Sequence, residues 1–372
     1  MPYSRVAQHS SMLFDSQRNA LYARAIGQLV TPESVVLDLG AGMGLHGLLA
    51  AAAGARHVYL VEPEPVIHAA AEAARANGLA DRVTVLQGRI EDVQLPQPVD
   101  LIASVFTGNL LFSEDLLPSL FHARDRWLKP GGRLLPDRAE LLLAPLHAPG
   151  LHAEHVARWS EPVMGLDYGG ARRFAANEIQ WPPRDELRGT EQLADGAVLA
   201  DVDLATAARA DCKGAATCRV AQSAVCHWLL AWTRIRLLDQ WLSTDPAADV
   251  HWRPVLMPLD PPLPLQQGED LHIALERPAW GDWTWSVRAR AGTRRHSSFL
   301  ARSESVADLR RLAPASRPGL GSDGAQSLRI LQGLQQGLSN REIADALAAD
   351  GLDAAQALVR VQAMAYKYGR RG

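Results

Sequence analysis

Three glycines at alternating positions, Gly40, Gly42 and Gly44, follow the apolar run Val35-Val36-Leu37-Asp38-Leu39 and lead into Leu45-His46-Gly47-Leu48-Leu49-Ala50-Ala51. The pattern is that of a strand, a tight turn and a helix N-terminus, an arrangement suited to holding a ligand. Glycines let the backbone turn without a Cβ clash and let a ligand approach the main chain, while the free N–H groups opening a helix favour a polar or anionic partner. Glu62 closes the next strand about 20 residues on, where a carboxylate accepts both ribose hydroxyls of a nucleoside. Glu91, in Gln87-Gly88-Arg89-Ile90-Glu91-Asp92, follows the third strand and is placed to accept from an adenine amino group, with Asp92 as the competing acid.

Two cofactor classes use such a turn. Gly42-Met43-Gly44-Leu45-His46-Gly47 satisfies the GxGxxG spacing of dinucleotide sites. The strand ends at Leu39, however, so the turn begins at Gly40 and reads GxGxG behind the acid Asp38. That register fits S-adenosylmethionine better than NAD. Glu62 is common to both classes and does not choose between them.

The elements that must position these residues follow in order. Apolar residues at Met12, Leu13, Leu21, Tyr22, Ala25, Ile26 and Leu29 predict one or two helices over 9–29, as a lid or flank. From Val35 strands alternate with helices: strand 35–39, helix 44–53, strand 58–61, helix 65–77, strand 83–86, strand 101–104 and a helix over roughly 115–127. The stretch Leu128-Lys129-Pro130-Gly131-Gly132-Arg133-Leu134-Leu135-Pro136 reads as a turn followed by a strand. Such alternation predicts an α/β fold with a parallel, doubly wound sheet and a ligand at the carboxyl ends of its strands. Beyond Pro136 the texture changes to short alternating runs. Nine of the ten tryptophans lie after residue 150, which marks a β-rich second domain. Residues 313–324 have linker composition, and 326–368 read as helical, with capping boxes at Ser339 to Glu342 and Asp353 to Gln356.

Bulk properties narrow the function classes. The chain has 372 residues, 47% hydrophobic and 21% charged, which excludes overall disorder and allows two or three domains. A formal net charge of −3 supplies no global pull toward nucleic acid or membrane. Cys212, Cys218 and Cys226 match neither a CxxC pair nor a zinc ribbon, so they are expected as reduced thiols, with no metal site. No run of about 18 apolar residues and no signal-peptide core is present, so a cytoplasmic location is expected and no membrane partner.

From Tyr3 to about Leu142 the chain resembles the protein arginine methyltransferase family of class I S-adenosylmethionine enzymes. The resemblance rests on Tyr3, His9, Met12-Leu13-Phe14-Asp15, Arg18, the glycine turn, Glu62, Glu91, Ala123-Arg124-Asp125-Arg126-Trp127-Leu128-Lys129-Pro130-Gly131-Gly132 and Leu135-Pro136-Asp137-Arg138-Ala139. It continues through Leu242-Ser243-Thr244-Asp245-Pro246 and Val250-His251-Trp252, which look like that family's Thr-His-Trp loop. It implies a Rossmann-like, seven-stranded methyltransferase domain over 1–142 and a β-barrel-like substrate domain over 143–312. It also implies a dimerisation arm within about 155–190, and hence a homodimer.

The same resemblance implies site roles. Arg18 would pair with the methionine carboxylate, since a guanidinium matches a carboxylate fork. Tyr3, His9 and Met12 would cover the cofactor, and Asp38, Pro63, Arg89, Ile90 and Ser104 would complete its surroundings. Asp15 and His251 would form a hydrogen-bonded dyad at the reacting centre, and Trp252 would face the substrate. The family grips a substrate guanidinium between two glutamates on the loop after the fourth strand. Here the second is Glu114, while Val105 replaces the first. A guanidinium carries five donors, so the missing carboxylate costs about 1.5–3 kcal/mol per lost charge-assisted bond. Either the acceptor carries another nucleophile, such as an amide, imidazole, carboxylate or small amine, or Asn109 or Thr107 supplies the missing acceptor. Transfer from a sulfonium is an in-line displacement governed by alignment. A base, Glu114 or the His251 pair, is needed only where the nucleophile must lose its proton first.

Leu331 to Leu347 looks like the first two helices of a LuxR-type helix-turn-helix, which gives a third domain over 326–372 after a linker at 313–325. Its expected recognition helix, Asp353-Ala354-Ala355-Gln356-Ala357-Leu358-Val359-Arg360, is nearly bare of base-reading groups; only Lys367, Arg370 and Arg371 reach toward phosphates. DNA, a protein, a leader segment of a peptide substrate, or a cap on the dimer are all open as its role. Two function classes follow: a methyltransferase acting on a peptide, a protein or a smaller metabolite, or a regulator that binds the cofactor without catalysis and docks DNA or a protein through its C-terminal helices. An NAD dehydrogenase is a distant third.

Overall fold

The computed structural model describes residues 5–369, which form two compact units, one reaching to Ser303 and one beginning at Glu304. The expected roles of Tyr3, Arg370 and Arg371 lie outside the described residues.

The first unit opens with α1 (Val6–Leu13) and α2 (Ser16–Leu29), which break at Asp15. Asp15 is the N-cap of α2, its carboxylate accepting from Arg18 N. There follow β1 (Val35–Leu39), α3 (Leu45–Ala52), β2 (His57–Glu62), α4 (Ile67–Ala76), β3 (Val83–Gln87), β4 (Val99–Ser104), α5 (Leu117–Trp127) and β5 (Leu128–Leu135). The strands form a sheet in the order β3-β2-β1-β4-β5, and every pairing is parallel. All five residues of β1 are buried, as expected of a parallel strand covered on both faces.

The parallel sheet therefore has five strands and not seven. The chain leaves it after Leu135. The next strand, β6 (Arg138–His147), runs antiparallel to a later one, so residues 138–142 belong to the second half of the unit and not to the Rossmann-like domain. The expected turn at 130–132 lies within β5. There the partner of β4 jumps from Leu128 to Arg133, and the Pro-Gly-Gly residues bulge between them.

After α6 (Pro149–His155), α7 (Arg172–Ala175) and β7 (Glu191–Gln192), the chain adds β8 (Ala197–Asp203), β9 (Cys212–Arg219), β10 (Ala224–Leu237), β11 (Gln240–Ser243), β12 (Val255–Leu265), β13 (Asp270–Arg277), β14 (Thr284–Ala289) and β15 (Gly292–Ser297). Two antiparallel sheets result. One has β11-β10-β6-β7 with β8 on β6 and β12 on β10; the other is β15-β14-β13-β9. They meet at both flanks, β8 against β9 and β12 against β15, which gives the barrel-like enclosure. Its core includes Trp285, Leu229, Leu263 and Val287, and it merges with the core beneath the parallel sheet. The three cysteines are free and buried.

The second unit holds α8 (Val306–Leu312), α9 (Ser322–Gln335), α10 (Asn340–Ala349) and α11 (Ala354–Tyr368). Residues 313–321 carry no helix or strand, and α9 enters the expected linker only over 322–325. Ile330, Ile343, Ala344, Leu347, Ala357 and Val361 form its core. Ser339 and Glu342 make the reciprocal capping box, whereas at α11 Asp353 alone caps, accepting from Ala355 N and Gln356 N. Among the described residues no helix is long and apolar enough to cross a membrane, and no group of three His, Cys, Asp or Glu is arranged to hold a metal.

Candidate active site

β1 lies between β2 and β4, where the strand order reverses, and the carboxyl ends of β1 and β4 open onto a cavity of about 460 Å³. Its walls come from α1, the glycine turn, the loop after β4, and residues 251–253.

One end is built around the turn. Gly40, Gly42 and Gly44 all have positive φ (70°, 52° and 79°), where side chains are disfavoured. A Cβ on Gly40 would sit 2.2 Å from the Phe106 ring. Asp38 does not line the cavity; its carboxylate accepts from Gly47 N at 2.7 Å and ties the strand to the first turn of α3. Burial pushes Asp38 up to about 7. Gly47, last in the GxGxxG spacing, is a packing position, since a Cβ there would lie 2.2 Å from Leu60. Glu62 does face the cavity: one oxygen accepts from Gly42 N at 3.1 Å and the other from Glu64 N at 3.0 Å. Burial raises its pKa, against these two bonds.

Arg18 lines the same cavity from α2. Its Nη2 donates to Met12 O at 2.5 Å, and Nε donates to Asn19 at 3.0 Å. The guanidinium lies 5.5 Å from the centre of the Trp252 ring. It is therefore oriented before a ligand arrives. His9, Met12 and Pro63 also line the wall. Gly44, Arg89, Ile90, Glu91 and Ser104 do not. Ile90 is in the core, and Glu91 accepts from Ser119 Oγ at 2.5 Å and pairs with Arg89 at 3.4 Å. Ser104 Oγ accepts from Phe106 N, and its carbonyl accepts from the Tyr22 phenol.

The cavity wall also carries Val105, Asn109, Glu114, His251 and Trp252. Glu114 is open to the cavity and accepts no hydrogen bond among the described residues; the protein crowding its carboxylate raises its pKa. Gly108 (φ +48°) makes room for it, since a Cβ there would come within 2.8 Å of its carboxylate oxygen. The neighbouring Asp115 anchors this loop, accepting from both Arg277 amino groups at 2.8 and 2.6 Å and from Trp280 N at 2.8 Å. Asn109 Oδ1 accepts from Arg253 N at 2.8 Å, and Thr107 Oγ1 is buried with no partner and lies off the cavity wall. Asp15 Oδ2 accepts from His251 N at 2.9 Å and from His251 Nδ1 at 2.7 Å. Arg184 fixes the loop ahead of His251 by donating to Val250, Thr244 and Asp245 carbonyls.

The sequence over residues 36–132 matches the family described as methyltransferase domain. The chain is 36% identical over 207 residues to probable protein arginine N-methyltransferase 6 of Arabidopsis thaliana, covering 55% of this chain and 47%, about half, of that relative. It is 31% identical over 291 residues to protein arginine N-methyltransferase 1 of Schizosaccharomyces pombe, covering 75% of this chain and 84% of that one. The chain belongs to the protein arginine N-methyltransferase family. Its fold also matches the Trypanosoma brucei PRMT1 enzyme-prozyme heterotetrameric complex with AdoHcy, with a TM-score of 0.70 and 25% identity, covering 79% of this chain and 98% of that one.

Membership in the arginine methyltransferase family makes this chain an S-adenosylmethionine-dependent methyltransferase. The cavity suits the cofactor. Each Glu62 oxygen accepts a single backbone N–H, which leaves lone pairs for two hydroxyls. Met12, Met43, Leu45 and Leu116 offer apolar wall, and Arg18 offers a fixed cation. Bound there, the cofactor supplies a sulfonium methyl group. The protein's part in such a transfer is to align a nucleophile and exclude water. With Nδ1–H bound to Asp15, His251 presents Nε2 as a lone pair. Burial lowers the His251 pKa, against the raising effect of Asp15, so the ring is neutral at pH 7.

Asp15 itself would be raised by burial, but its bonds from His251 and Arg18 outweigh this and hold it below the usual range. Replacing Asp15→Asn keeps the N-cap but removes the charge that raises His251. The His251 pKa is therefore expected to fall further, as read by NMR titration of the ring; a rise would refute the pairing. His46, Phe106, Arg253 and the Asp115 anchor are site residues the sequence reading missed. Only His46 left a signal, as a lone histidine in an apolar helix start.

Proposed function

We propose that this methyltransferase modifies a side-chain nitrogen or oxygen of a peptide or protein, held by Glu114 alone. The observation that carries the reading is the Glu114 carboxylate, which faces the cavity and accepts no hydrogen bond among the described residues, with Val105 in the place of a second acid. The relatives' names point to arginine, and a single carboxylate binds a guanidinium less firmly than two would. An amide, imidazole or small amine, which asks for fewer bonds, suits it equally. Restoring the acid with Val105→Glu is expected to raise the rate on arginine peptides about tenfold to a hundredfold. A lower or unchanged rate, measured by transfer of labelled methyl groups, would count against the two-carboxylate clamp argument. Labelling a lysate with the wild-type chain and locating the label by mass spectrometry identifies the acceptor directly. No label on any protein would favour the alternative, a cofactor-binding regulator.

The chain acts as a homodimer through the segment at about 155–190. There the tip around Val163 and Leu166 exposes apolar side chains, with Met164 97% exposed. The C-terminal helices, with their helix-turn-helix likeness, serve to dock a protein or a peptide leader in preference to DNA. The exposed side of α11 carries Ala355, Val359, Gln362, Ala363 and Tyr366, with Lys367 as its one fully exposed charge. Three unpaired cysteines fit a cytoplasmic setting.

A further inference from the structure

His46, the second residue of α3, lines the cofactor cavity yet is only 6% exposed. Its Nε2 is sealed and has no hydrogen-bond partner among the described residues. Such an atom in a binding cavity calls for an explanation. Burial pushes the ring down to about 3, so it is neutral and carries one proton. An orphaned N–H is the less tolerated of the two states, so the sealed Nε2 keeps the bare lone pair and Nδ1 holds the proton. Nδ1 is not sealed and bonds to none of the described residues, which leaves its N–H turned to the cavity.

The position along the cavity follows from α2. Arg18 and Tyr22 are four residues apart and share one helix face. His46 lies against Tyr22, the rings tilted by 32° and their centroids 4.3 Å apart, so it sits on the side of the cavity that carries Arg18. We infer that His46 donates from Nδ1 to the carboxylate of the cofactor's amino-acid portion, as a second donor beside Arg18. The inference rests on Arg18 marking that end of the cavity.

The test compares binding of S-adenosylhomocysteine, which has the carboxylate, with 5′-methylthioadenosine, which lacks it. His46→Leu is expected to weaken the first about tenfold and leave the second within about twofold. His46→Asn, whose amide nitrogen overlies Nδ1, is expected to restore most of the preference. An equal loss for both ligands would make His46 a packing residue only, and no loss for S-adenosylhomocysteine would remove it from the site; either overturns the inference. Arg18→Ala serves as the control for orientation. If that variant keeps the preference for the carboxylate-bearing ligand, the orientation is wrong and the inference falls with it. If it loses the preference while His46→Leu does not, only the inference falls.

Discussion

Glu114→Gln is expected to lower kcat/KM for the methyl acceptor by about a hundredfold or more while the Kd for S-adenosylhomocysteine stays within about twofold. The loss follows from two charge-assisted bonds at about 1.5–3 kcal/mol each, at 1.4 kcal/mol per tenfold. Among the described residues the only other acids on the cavity wall are Glu62 and Glu64, so no carboxylate neighbouring Glu114 compensates. The cofactor should be spared because Glu62 and Arg18, not Glu114, are the charged groups proposed to hold it. A pH profile adds a second readout. Glu114 has a raised pKa and must be ionised to hold a cation, so wild-type activity falls as pH drops through a value above 4.5. The Gln variant loses that limb. An unchanged rate would mean that the acceptor does not engage Glu114.

Glu62→Ala is expected to weaken cofactor binding by about a hundredfold to ten-thousandfold by calorimetry, the worth of two hydroxyl bonds to a carboxylate. The same carboxylate accepts from Gly42 and Glu64, so part of the loss comes from a looser turn. Melting temperature separates the causes: a large fall without ligand would assign Glu62 to folding, whereas a small fall with lost binding assigns it to the ligand. Binding should also weaken as pH falls, because burial raises the Glu62 pKa and protonation removes an acceptor.

The parallel sheet and the donor end of the cavity were legible in the sequence because short-range chemistry writes them. Glycines with positive φ and an acid at a strand end leave local marks, and β1 through β4 fall within a residue or two of the expected spans. The boundary at β6 was not legible. Ala139-Glu140-Leu141-Leu142-Leu143-Ala144 reads as a buried strand whichever sheet it joins, and only its antiparallel pairing with β10 decides. Glu91 misled for a related reason: its position after β3 was readable, but its turn toward Ser119 on α5 depends on a residue 28 positions away. The Asp115 anchor pairs across 162 positions and had no local signature at all. Conversely, Asp15 and His251, 236 positions apart, do meet, a pairing that only the family resemblance could suggest.

That anchor divides ownership of the reaction. Arg18 and Glu62, the charged groups proposed to hold the methyl donor, both come before the chain leaves the parallel sheet at Leu135. The grip on the acceptor is not complete there, since the loop bearing Glu114 is tethered through Asp115 to Arg277 on β13, and Asn109 is tied to Arg253. On the proposed roles, changes in the barrel strands would act on the acceptor side of the reaction through Asp115 and Asn109. For engineering, acceptor choice is a property of the second half of the unit, and β13 is its handle.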